Sequence, residues 1–104
     1  MSKSVRIGPH KFALVYVDKV DEEDNWGHYS QADQNIMLSN ALLPEGSKWA
    51  EILLHEIFHG VADEREIFDD DKTEERAVKL FAMGFAQVLK DNKTLFRAIL
   101  KALA

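Results

Sequence analysis

Leu53-Leu54-His55-Glu56-Ile57-Phe58-His59-Gly60-Val61 is the stretch on which the reading of this chain turns. Its apolar residues Leu53, Leu54, Ile57, Phe58 and Val61 recur at helical spacing, and Ser47 stands where a hydroxyl can cap a helix beginning near Lys48. Lys48, Glu51, His55 and His59 form a polar stripe on an otherwise largely apolar circumference, within about 40° of one line on a helical wheel. A helix of this kind is expected to be buried on several sides and to open one polar groove. Residues four apart share a helix face, so the His55 and His59 imidazoles converge while Glu56 projects beside them. That is the HExxH pattern: two imidazoles for one zinc ion, and a carboxylate within reach of the water that the ion activates. The competing reading is a polar groove lined by two histidines and nothing more.

Upstream of this helix the chain reads as strands. Val5-Arg6-Ile7, a Gly8-Pro9 turn and the Val-, Tyr- and Phe-rich segment Lys11 to Val17 suggest a hairpin. Val20 to Asn25 reads as an exposed acidic loop. After Trp26-Gly27, Asn35 to Leu38 forms a short third strand, ended by Ser39-Asn40 and by Leu43-Pro44-Glu45-Gly46. Downstream, Asp69 to Thr73 is a polar break. Glu74 to Lys90 then repeats apolar residues at Val78, Phe81, Ala82, Phe85, Val88 and Leu89, and Leu95, Phe96, Ile99, Leu100 and Leu103 mark a third helix beyond Asp91-Asn92. Strands followed by helices imply an α+β fold: a three-stranded sheet, the HExxH helix and two further helices.

Composition narrows the function. With 104 residues, 46% hydrophobic and 30% charged, the chain reads as one globular domain, residues 1–104, with room for a single site. It has no cysteine, so any metal must be held by His, Asp or Glu. A formal charge of -5 with scattered Lys and Arg argues against nucleic-acid binding. The longest apolar run, Phe12 to Val17, is too short to cross a bilayer, and Met1 to Lys11 lacks a signal-peptide core, which makes the cytoplasm the expected compartment.

A catalytic zinc needs a third protein ligand and an open position. The other histidines, His10 and His28, lie upstream, whereas Glu74 and Glu75 open the second helix after a turn that lets it double back. Averaged over all six of that helix's apolar positions, the apolar face is centred about 20° from Glu74 and about 80° from Glu75, so periodicity favours Glu74.

Leu53 to Val61, then Glu74-Glu75-Arg76-Ala77-Val78, Phe81-Ala82-Met83-Gly84-Phe85 and Asp91-Asn92, resemble small zincin-like metallopeptidases of phages and prophages. More distantly they resemble the ImmA/IrrE-type and thermolysin-like gluzincins. Trp26-Gly27, Ile36-Met37-Leu38 and Leu43-Pro44 extend the likeness to about three quarters of the chain. The resemblance implies a zincin-like minimal domain in the cytoplasm, with zinc on His55, His59 and Glu75, Glu56 as general base, and a role in mobile-element biology. It also implies that a protein or peptide substrate pairs with the strand ahead of the active-site helix, here Asn35 to Leu38. One departure stands out: Lys79 occupies the place where thermolysin-like enzymes carry an acidic residue that orients a zinc-bound histidine.

Two other functions remain open to these residues: a zinc-binding regulatory module with little catalysis, and a metal-free interaction protein whose third helix docks a partner or a second copy. Tyr16, His28 and Tyr29 are the donors available to an oxyanion, although packing is the more ordinary use of a strand tyrosine. Trp26 and Trp49 are expected to pack in the core or at the helix entry. Gly60 is expected either to admit a close neighbour or to begin the helix end near Val61 to Asp63, and Asp69-Asp70-Asp71 to form a solvated turn.

Overall fold

A computed structural model of the chain describes residues 4–21, 25–42 and 46–104. The hairpin forms as expected, with β1 (Ser4–Ile7) antiparallel to β2 (His10–Val17) and Ile7 paired with His10 across the two-residue turn. Gly8 sits at φ 58° there, a left-handed backbone conformation that calls for glycine in the turn.

The sheet has four strands rather than three. β3 (Gly27–Ser30) and β4 (Asn35–Ser39) form an antiparallel pair, and β4 inserts beside β2 in parallel, giving the order β1-β2-β4-β3. Gly-His-Tyr-Ser carries no apolar alternation, which is why β3 is invisible to a pattern search. The consequence reaches the site: β4 is an interior strand, and β3 is the edge. Val20, read as part of an exposed loop, is buried, while Glu22 to Asp24 lie outside the described residues.

The β2–β4 register sets Leu14 beside Ile36 and Tyr16 beside Leu38, so one face of the sheet is apolar. Ile36, Leu38 and Leu42 are fully buried on it, and Trp49, Ile52, Leu53 and Ile57 of α1 (Ser47–Arg65) pack against them. Truncating such a side chain to alanine costs about 2–5 kcal/mol. Gly60 lets α1 approach the sheet: a Cβ there would stand 2.6 Å from Ile7 and 3.1 Å from the Tyr29 ring. The helix continues past it to Arg65 and ends on Glu66, which is left-handed at φ 51°.

Gly46, not Ser47, is the N-cap of α1, with no side-chain hydrogen bond; Leu43 to Glu45 lie outside the described residues. Trp49 donates its indole N–H to the Tyr16 hydroxyl (3.1 Å), as a helix-entry residue should, whereas Trp26 is half exposed with the Lys48 ammonium 5.5 Å from its ring. α2 (Asp71–Asp91) starts earlier than its apolar repeat, because the Asp70 carboxylate accepts the Thr73 N–H (2.7 Å) and caps it. That hydrogen bond holds the Asp70 carboxyl below its ordinary pKa. α2 packs on α1, and α3 (Lys93–Leu103) follows after Asn92. No helix among the described residues is long and apolar enough to cross a membrane.

Candidate metal centre

Because His55 and His59 are one turn apart on α1, their rings stand edge to face with centroids 4.9 Å apart. The first turn of α2 comes to them. Glu75 reaches both Nε2 atoms, with Oε1 2.9 Å from His55 and Oε2 2.6 Å from His59. One ligand atom from each of His55, His59 and Glu75 falls within 4.8 Å of the others, the spacing of donors around a single ion. The Glu75 carboxylate thus bridges the two imidazoles. Two imidazole nitrogens, which ligate only when unprotonated, and a carboxylate make a donor set that could hold a metal ion.

Glu74 touches the same histidine from the other direction: its Oε2 lies 2.7 Å from His59 Nδ1. Both carboxylates therefore engage His59, and the choice between them rests on which nitrogen each one meets. Nε2 of both rings points at Glu75, so Glu75 completes the donor set, whereas Glu74 holds the far nitrogen and fixes the ring's orientation. Periodicity leans toward Glu74 for an identifiable reason. Phe81 and Val88, which pull the apolar centre toward Glu74, are exposed, while Val78 and Ala82 are the buried positions of α2. Measured from those two, Glu75 lies about 40° to one side and Glu74 about 60° to the other, so the pair straddles the inward face. Glu74 also supplies what Lys79 does not, an acidic partner for a histidine. An adjacent Glu-Glu pair flanking an inward face was the available signal for it.

Glu56 is buried, 8% exposed, and sits under the edge strand. Its Oε1 accepts the Tyr29 backbone N–H (3.0 Å). Gly27 makes room for it, since a Cβ there would meet Ile52 at 2.8 Å and the Glu56 side chain at 3.2 Å. Burial pushes the Glu56 carboxyl up from its ordinary pKa, against the opposing pull of His55, His59 and the Tyr29 N–H. For His59, burial is the largest single influence and pulls its pKa down, but Glu74, Glu56 and Glu75 together outweigh it and hold the imidazole above its ordinary value.

Asn25, Gly27, His28 and Tyr29 form one wall of the resulting cleft, and His55, Glu56, His59, Glu74 and Glu75 the other. Compared with family models, curated proteins and solved structures, the chain matches none. The centre therefore stands on its own geometry. Of the upstream donors, the Tyr29 hydroxyl is engaged with Asp63 (3.1 Å), and burial with that neighbour pushes it up to about 12. Tyr16 accepts from Trp49, away from the cleft, and His28 lines it.

Proposed function

We propose that this protein is a zinc-dependent peptidase of the minimal gluzincin kind, hydrolysing an intracellular protein or extended peptide in phage or mobile-element biology. The observation that carries the reading is the convergence of His55 Nε2, His59 Nε2 and Glu75 beside a buried carboxylate that is not one of the three. A purely structural site has no use for Glu56 in that position.

His55, His59 and Glu75 would hold the ion, which when bound supplies Lewis acidity and lowers the pKa of water at its open position. Glu56 moves the proton. Its Oε1 is anchored by the Tyr29 N–H, leaving Oε2 to take a proton from the attacking water and return it to the leaving nitrogen. Burial, by raising the carboxyl's affinity for a proton, brings it closer to the neutral range in which such a relay works best. Glu74 keeps His59 facing the site. The strand available to an extended substrate is β3, the edge beside Glu56, in place of Asn35 to Leu38.

The test is zinc content together with cleavage of a panel of unfolded proteins. Glu56→Gln should retain zinc and lose hydrolysis, while His55→Ala should lose both. A Glu56→Gln protein that cleaves as fast as the unaltered chain rejects the assignment of the base.

A further inference from the structure

The cleft does not end at the histidines. Past His55, toward the start of α1, it continues as a space of about 400 Å³ lined by Asn25, Trp26 and Gly27 and by Glu75, Lys79 and Met83 of α2. The two parts differ in charge. Around His59 the lining carries Asp71 and Glu74 and, among the described residues, no lysine or arginine. Past His55 it includes Lys48 and Lys79. In a chain of net charge -5, the cations that line the cleft thus stand on one side of the candidate metal centre.

Helical spacing puts both lysines there. Lys48 lies two turns before His55 and Lys79 one turn after Glu75, so each continues the stripe that carries a metal-facing side chain. They stand about 10 Å and about 6 Å further along their helices, a span that about one to three residues of an extended chain cover. The Lys48 ammonium is 5.5 Å from the Trp26 ring, and among the described residues neither lysine forms an ion pair. The carboxylates nearby are otherwise placed. Glu56 accepts the Tyr29 N–H, Glu75 meets the imidazoles, and Glu51 lies within ion-pair distance of neither ammonium. Two unpaired cations beside the exposed Trp26 ring and Met83 thioether suit a carboxylate carried on a short apolar stem.

We propose that Lys48 and Lys79 form a subsite for a carboxylate of the substrate, so that the protein selects peptides with an acidic group within about three residues of the bond cleaved. The inference rests on the peptidase reading above and adds a substrate class to it. It also gives Lys79 a use of its own, at the position where the thermolysin-like pattern has an acid. An exposed ammonium strengthens such a contact by at most about fivefold, so a clear preference needs both lysines. A side-chain carboxylate and a free C-terminus share this chemistry.

Alanine-rich peptides of one sequence, each with a single Glu, Gln or Lys at successive positions and with a free or amidated C-terminus, test the proposal on the full chain. Cleavage is followed on zinc-loaded protein. Binding is followed separately by the fluorescence of Trp26, on metal-free protein and on Glu56→Gln. At one position Glu should bind about tenfold more tightly than Gln, and Lys least well. Lys48→Glu with Lys79→Glu should invert that order, which a loss of folding cannot do. A Glu preference that survives amidation assigns the subsite to a side chain; one that appears only with a free C-terminus assigns it to the terminal carboxylate. Protein that cleaves Glu, Gln and Lys peptides alike, or with a preference unmoved by the double variant, overturns the subsite and leaves the peptidase standing. Protein that cleaves none of them yet binds them in the lysine-dependent order overturns the peptidase and supports the subsite. No lysine-dependent order in either measurement overturns the subsite whatever the outcome for catalysis.

Discussion

The two ends of α2 are built on opposite terms. In its first turns Glu74 and Glu75 reach the α1 histidines and Val78 and Ala82 are buried, so nearly every inward side chain there has a partner in the same chain. Toward its C-terminal end Met83 and Val88 face outward, and α3 adds an amphipathic helix with no fully buried residue. Apolar periodicity is equally clear at both ends. Periodicity says that a face seeks cover; what provides it depends on which elements the fold brings within reach.

Several substitutions can break or sharpen this contrast. The largest effect belongs to the donor set: His55→Ala, His59→Ala or Glu75→Ala should abolish stoichiometric zinc binding, measured by competition with a chromogenic chelator. Glu75→Ala with unchanged affinity would sink the centre as described. Glu74→Ala should come next, lowering affinity by about 10–100-fold because His59 loses its orienting partner while the donors remain. An effect equal to that of Glu75→Ala would make Glu74 a ligand.

The two helical glycines offer a comparison by stability alone. Gly60→Ala forces a methyl against Ile7 and the Tyr29 ring and should cost about 1–3 kcal/mol in urea unfolding. Gly84→Ala should stabilise by up to about 1 kcal/mol, since its Cβ enters open space. Equal effects at the two sites would contradict the packing described for α1 and α2.

The smallest effect is the pH response of the metal-free protein. The His59 pKa is raised in the folded state above its ordinary 6.5, so the stability this contributes is complete below about pH 6.5 and is lost as pH climbs through the raised value. The raised Glu56 pKa acts in the same sense, since the folded state holds that proton more tightly than the unfolded one and loses ground once pH rises above about 4.3. Metal-free protein should therefore melt at a lower temperature at pH 8 than at pH 6. Zinc-loaded protein should show the reverse, because the imidazoles must be deprotonated to bind. A metal-free melting temperature that increases with pH over this interval contradicts the proximity of Glu74 and Glu75 to His59.

The α+β class, the β1–β2 hairpin, all three helices and the pairing of His55 with His59 were legible in the sequence. Each rests on local spacing: alternation along a strand, or a repeat near 3.6 along a helix, is written in consecutive residues. Even the close approach at Gly60 left a trace, as a glycine inside a helix whose apolar pattern continues past it.

Other features depend on partners far apart in the chain. β3 exists because β4 offers it an edge and Gly27 lets it lie over Glu56; nothing within Gly-His-Tyr-Ser announces a strand. Which of two adjacent glutamates meets the histidine Nε2 atoms was decided by how α2 is rotated against α1, and that rotation follows from Val78 and Ala82 being buried while Phe81 is not. A wheel drawn from sequence weighs all apolar residues alike. Only packing separates those that face the chain's own core from those that do not, because burial is a property of the neighbours a residue acquires and not of the residue itself.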